Sequence, residues 1–372
     1  GYAGNDSIDG KDGDDEIYGG EGDDQLWTGG GTGNDLVFGG SGNDRITIGS
    51  PNRQASEQST QRILGEEGDD YIYAASKLAY QTIDGGSGND EINVLLNPGI
   101  VTGGDGDDII RFYRTSNPYS DSRIINGDGG KDTLILDGEY DLVDFSQITG
   151  FEIFEITTTN FGRYTPLTLS DKTVEKGDRL IIRQSKDFWY SGGPFVVDGS
   201  SELDGGLEIN GINYSPLCNN VLTGGSQADI LRGSELSDDT LDGRSGNDTL
   251  YGLDGDDLLT GGGGNDAIEG GAGVDTAIYT GRREDYQIEE IAFAKFRITD
   301  LRQGSPDGID LVSQVNILKF RDSDYQFYAQ NKIEITGSAL ADTIDCSEYS
   351  EKAYGYAGND SIDGKDGDDE IY

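Results

Sequence analysis

GYAGNDSIDGKDGDDEIYGGEGDDQLW, residues 1–27, divides without remainder into three nines, each opening on glycine and carrying aspartate at its sixth place. After Thr28 and Gly29 the phase resumes with GGTGNDLVF at Gly30 and GGSGNDRIT at Gly39. The first six residues of each nine favour a tight turn, because glycine reaches positive φ without steric cost and Asn and Asp suit turns. The last three form a short strand whose middle side chain points inward: Ile8, Ile17, Leu26, Val37, Ile46. Two nines make one turn of a parallel coil, so Asp6 stacks under Asp24 and Asp15 under Asp35. Stacked carboxylates repel one another unless a cation lies between them. Aspartate oxygens and turn carbonyls together supply the all-oxygen shell that a hard divalent ion prefers.

The pattern continues beyond Ile48 at wider intervals. Hexads GEEGDD at Gly65, GGSGND at Gly85, GGDGDD at Gly103 and GDGGKD at Gly127 place Asp70, Asp90, Asp108 and Asp132 after Asp44. These steps are close to one coil turn plus small insertions, which predicts one continuous ladder along a single edge. The opposite edge gives up the motif for loops such as Gly49–Gln61 and Arg114–Asp121. A second run starts with GGSQADILR at Gly224 and ends with GGAGVDTAI at Gly270, placing Asp229, Asp239, Asp248, Asp257, Asp266 and Asp275 at the sixth position. Near the end, GSALADTID offers Asp342, and residues 355–372 repeat residues 1–18 identically, which adds Asp360 and Asp369. The chain therefore reads from one copy of a 354-residue unit into the next, as a segment of a longer protein.

Composition narrows the chemistry. Among 372 residues, 71 Asp and Glu face 27 Lys and Arg, for a net charge of −44. Such a charge repels nucleic acid and anionic lipid, so neither is an expected partner. No apolar run is long enough to insert in a membrane. There is no histidine, which excludes a His general base, a Ser–His or Cys–His nucleophile pair and a His-ligated metal. The two cysteines, Cys218 and Cys346, are either bridged between neighbouring units or free thiols. The paired carboxylates sit in ion turns rather than in a hydrolytic cleft, and the glycine turns lack the Gly-Lys-Ser/Thr ending of a phosphate loop. The chain is not expected to be an enzyme.

The unit G-G-x-G-x-D-x-U-x, with U a large aliphatic residue, resembles the calcium-binding nonapeptide of the RTX (repeats-in-toxin) family. That resemblance implies an all-β fold, a right-handed parallel β-roll with calcium in its turns. It also implies export from a bacterium by a type I exporter and folding outside the cell, where calcium is plentiful. Counting adjacent aspartate pairs gives about 13 calcium ions per unit.

Five segments follow. Residues 1–135 are a calcium roll continuing from 333–372 of a preceding unit; 136–221 are a β-solenoid-like spacer without calcium motifs; 222–278 are a second calcium roll. Residues 279–332 resemble the small β module that follows such blocks, and 333–372 open the next roll. Outward positions gather Tyr18, Leu36 and Phe38 on one face and Trp27 and Tyr73 on another, either as strand stacking or as contact surface. Phe188-Trp189-Tyr190 is either a buried strand end or an aromatic contact loop. The leading functional expectation is an extracellular calcium-dependent fibre, sheath or surface layer whose units associate end to end, with lateral copies or glycans as further partners. The alternatives are the stalk of a large RTX adhesin and the secretion and folding appendage of an RTX exoenzyme.

Overall fold

A computed structural model describes residues 1–29, 33–49, 60–75, 80–95, 99–113, 124–137, 147–158, 167–189, 195–211, 219–292, 294–326, 333–336, 343–345, 351–354, 361–363 and 370–371. Among them there is no α-helix, and the chain is an all-β parallel solenoid. One sheet of sixteen strands runs from Ser7–Asp9 through both sets of repeats. A seven-stranded sheet, Glu16–Glu21 to Ile148–Thr149, faces its first part, and an eight-stranded sheet, Leu167–Thr168 to Asp324–Gln326, faces the rest.

In the shortest strands, such as Gln25–Trp27, only the middle residue reaches the interior, while longer ones such as Arg45–Ile48 bury alternate residues. In the long sheet, register pairs Ile8 with Leu26, Leu26 with Ile46, Ile46 with Ile72, and so on through Ile92, Ile110 and Leu134. The same column crosses the spacer through Phe154, Ile182 and Ile209, then enters the second set of repeats at Leu231. It continues through Leu250 and Ile268 to Val312, and every member from Leu26 onward is buried. Opposite it, Ile17, Val37, Ile63, Ile83, Val101, Ile125 and Ile148 form the facing column. Beside these runs a third buried file on the long sheet, Ile48, Ala74, Val94, Phe112, Leu136 and Ile156, so the core is narrow, with only a few side chains per coil. An eighteen-residue coil that buries so few side chains gains little against the entropy of ordering its backbone, so the turns must supply the rest.

The spacer residues 136–221 do not interrupt the long sheet, although the facing sheet breaks within them, between Ile148–Thr149 and Leu167–Thr168. The apolar stretches at Leu180–Ile182, Phe195–Val197 and Leu207–Ile209 lie within strands that stack in register with both neighbours, while Leu167–Leu169 opens the second facing sheet and pairs on one side only. The C-terminal module ends the parallel ladder. Ile309–Ser313 is the last strand to run parallel, while Lys295–Asp300 and Tyr286–Ala292 fold back antiparallel against it. On the facing sheet Asp324–Gln326 reverses against Ile317–Lys319. Tyr279, Tyr286 and Phe320 pack together under this cap, and Arg302 bridges Asp300 at 2.8 Å and Asp307 at 2.9 Å. The solenoid is therefore not continuous through the whole unit. Beyond the cap, Ile333–Thr336 pairs with Glu351–Tyr354, and Thr343–Asp345 with Ser361–Asp363, as separate parallel sheets.

With a core this thin, a single truncation removes a large part of one rung. Ile92→Ala should cost about 2–5 kcal/mol, read as a lower urea midpoint of the calcium-loaded chain, whereas Ile309→Ala, at a half-exposed position, should shift it by less than about 1 kcal/mol.

Candidate metal centre

The turns are held by two side-chain columns that run in opposite senses. At the sixth position, Oδ1 of each aspartate accepts the backbone N–H of the aspartate one coil earlier. Asp6 donates to Asp24 at 2.7 Å, Asp24 to Asp44 at 2.8 Å, Asp44 to Asp70 at 2.7 Å and Asp70 to Asp90 at 2.8 Å. Asp90 donates to Asp108 and Asp108 to Asp132 in the same way. At the fifth position the side chain accepts from the following coil instead: Asn43 N–H donates to Asp23 Oδ1, Asp69 to Asn43, Asn89 to Asp69 and Asp107 to Asn89. One amide-type oxygen satisfies the fifth-position role, which is why Asn and Asp alternate there.

The sixth position demands more, because of its second oxygen. Oδ2 of Asp15, Asp24, Asp44, Asp70, Asp90, Asp108, Asp132, Asp248, Asp257, Asp266 and Asp275 is buried and meets no hydrogen-bond donor. A buried carboxylate oxygen without a donor is costly unless a cation compensates it. The glycine opening each nine explains the space around that oxygen. A Cβ on Gly19 would lie 2.4 Å from Asp24 Oδ2 and 2.1 Å from the Gly39 carbonyl oxygen, and a Cβ on Gly85 would meet Asp90 Oδ2 and the Gly103 carbonyl at 2.3 Å each. Carboxylate and carbonyl oxygens converge where any side chain would clash, so the donor set is oxygen only and suits a calcium-type ion. When bound, such an ion supplies the positive charge these columns lack; Asp Oδ2 and the turn carbonyls are the groups placed to hold it.

Electrostatics carry the same message. Burial, reinforced by neighbouring aspartates, pushes Asp70, Asp248 and Asp257 up to about 8 and Asp108 to about 7. Burial likewise raises Asp44, Asp90, Asp132, Asp229, Asp266 and Asp275 to about 6. Asp35 and Asp239 rise for the same reason. In the metal-free chain these raised values couple folding to proton uptake.

The second set of repeats has a column on each edge. Asp229, Asp248 and Asp266 are linked along one, and Asp239, Asp257 and Asp275 along the other. The first member of each differs from the rest: Asp229 Oδ2 accepts the Gly225 N–H and Asp239 Oδ2 accepts the Ser234 N–H, both at 2.6 Å. Several members were not legible from the nine-residue phase. Asp310 continues the Asp266 column across 44 residues, and Asn316 continues the Asp275 column across 41. Burial raises Asp310 to about 8, as it does its neighbours in the column. Glu152 closes the first long column by accepting from Asp132.

On the short edge Asp15 donates to Asp35, but Gln61 then donates its side-chain amide to Asp35 Oδ2 at 3.0 Å, and Gln81 donates to Gln61 at 3.2 Å. An amide ladder replaces the carboxylate column there. The signal for Gln61 and Gln81 was their place directly before the strand triplets Arg62-Ile63-Leu64 and Thr82-Ile83-Asp84. Asp342, Asp360, Asp369, Cys218 and Cys346 lie outside the described residues, as do most of the two predicted loops, Tyr190 and the side chains of Phe188 and Trp189. Tyr18 and Phe38 stack with ring centroids 4.8 Å apart, and Trp27 and Tyr73 share a column through Thr47.

Because the shifted aspartates titrate above their unfolded value near 3.8, their protonation stabilises the metal-free fold fully below that value, and this help is lost as pH rises through about 6 to 8. In chelator, acidification from about pH 8 to about pH 5 should therefore restore β-type circular dichroism; calcium should hold the signal at the upper pH. Asp90→Asn keeps the backbone acceptor but removes the charge, and should lower bound calcium by about one or two ions. Asn89→Asp on the adjoining column should leave the count unchanged, as equilibrium dialysis would record.

The RTX calcium-binding nonapeptide repeat model, in blocks of four copies, matches residues 1–32, 30–50, 82–94, 219–240, 233–268, 242–277 and 347–372. Among solved structures, the extracellular lipase LipA from Serratia marcescens aligns at 18% identity and a TM-score of 0.20, over 52% of this chain and 32% of the lipase chain. A search of curated proteins finds no match. The aspartate columns, their donor-free oxygens and the matched nonapeptides agree, and over the matched segments the chain carries RTX calcium-binding nonapeptide repeats.

Proposed function

We propose that the chain is a stretch of an extracellular structural protein, built from tandem 354-residue units whose calcium-loaded turns stiffen it into a fibre, sheath or surface layer. Calcium binding supplies folding free energy because the unfolded chain holds no preformed site. Low calcium keeps the chain extended for export, and the higher calcium outside folds it.

One observation carries the tandem reading. Ser7–Asp9 is the outermost strand of the long sheet and pairs only downstream, with Gln25–Trp27. Its identical copy Ser361–Asp363 pairs upstream, with Thr343–Asp345. Likewise Glu16–Glu21 ends the seven-stranded sheet and pairs downstream, while its copy Glu370–Ile371 pairs upstream with Glu351–Tyr354. Superposing the two copies joins the ladders without changing register, so an upstream unit covers the edge that this stretch leaves open. Covered edges also avoid nonspecific strand addition.

A two-unit chain tests this. In calcium, negative-stain images should show a straight rod across the repeated sequence, with any bend at the cap formed by residues 286–326. Two bodies hinged at the repeated sequence itself would overturn the reading.

A further inference from the structure

The spacer between the rolls holds a feature that its sequence does not announce. Its two consecutive turns, 169–178 and 199–205, lie on one edge of the solenoid, between strands that pair in register on both sides. Carboxylate oxygens of Asp171, Glu202 and Asp204 lie within 4.8 Å of one another there. Among the described residues, none of the three forms an ion pair with Lys or Arg.

Glu202 is fully buried, and its two oxygens are treated unequally. Oε1 accepts the Gly205 N–H at 3.1 Å and lies 3.4 Å from the Asp204 nitrogen, whereas Oε2 has no hydrogen-bond partner. This is the signature of the inner roll aspartates: one oxygen tied to backbone amides, the other buried without a donor. Asp171 repeats the second half of the roll pattern, since its Oδ1 accepts the Leu203 N–H of the next coil at 3.1 Å, as fifth-position residues do. The cluster also abuts the second roll. Ser226 N–H donates to the Glu202 carbonyl at 3.0 Å, and the Gln227 side-chain amide donates to the Leu203 carbonyl at 2.9 Å. The turn bearing Asp229 is therefore docked directly on it.

We propose that Asp171, Glu202 and Asp204 form a calcium site outside the nonapeptide repeats, seated one coil upstream of Asp229. Three carboxylates with no nitrogen or sulfur among them select a hard, oxygen-seeking divalent ion. Burial disfavours the Glu202 charge and the nearby Asp171 charge adds to the penalty, while backbone amides offset part of it; a cation at the unpartnered Oε2 would offset the rest. The site would let the ion-bound edge start inside the spacer, so that the second roll folds onto an already ordered coil.

Native mass spectrometry of the full chain in calcium counts the ions. Glu202→Gln and Asp171→Asn should each carry fewer ions than the unaltered chain, by about one, and counts equal to the unaltered chain overturn the proposal. Asp171 is exposed and lies in a surface turn, so its variant reports even if Glu202→Gln disturbs the buried turn. A crystal of the calcium-loaded chain gives the second readout: anomalous density at Glu202 Oε2 supports the site. Filled roll turns with no density there overturn it, and leave the calcium dependence of the rolls and the tandem reading untouched.

Discussion

A buried carboxylate oxygen with no donor, repeated once per coil, is the constraint on which this molecule turns. The core holds only a few side chains per coil, and the amide ladder alone is no stronger here than in any parallel sheet. What distinguishes the rolls is that most sixth-position aspartates, Asp24 to Asp132 on the long edge and Asp248 to Asp275 in the second roll, tie one oxygen to the neighbouring coil and leave the other buried without a donor. The folded chain is thereby held in a state of unbalanced negative charge that only protons or cations relieve. Calcium sensitivity is a property of the backbone path itself, since the opening glycines exist to bring those oxygens together.

Much of this was legible in the sequence because the solenoid keeps a local period. The nine-residue phase placed Asp6 through Asp132 in one column despite steps that vary, and the inward aliphatic residue of each triplet fell where the core lies. Legibility failed where a column leaves the period. Asp310 and Asn316 join their columns only after a folded excursion of some forty residues, so no spacing rule reaches them. Gln61 and Gln81 were hidden for another reason: an amide reproduces the hydrogen bond of an aspartate while discarding its charge, and a search for acid passes over it.

Strand direction was equally hidden. The residues of Lys295–Asp300 alternate as any half-buried strand does, while Tyr286–Ala292 buries little beyond Tyr286, and neither pattern distinguishes parallel from antiparallel neighbours. Only the turn at Ala294, in the left-handed region at φ 48°, brings them together as a hairpin. The spacer shows the converse. It lacks the nonapeptide, yet its strands in the long sheet keep register with the rolls on either side.

The reversal at the end of the long sheet has a consequence for how damage spreads. In a one-dimensional stack, each coil is stabilised by its neighbours, so loss of one loosens the next. Ser313 and Ile333 belong to different sheets, with the antiparallel hairpin standing between them in sequence and no shared strand pairing. Among the described residues, unzipping that begins in one stack finds no strand pairing through which to enter the following one. The cap acts as a firebreak, confining a local collapse to the stretch in which it started.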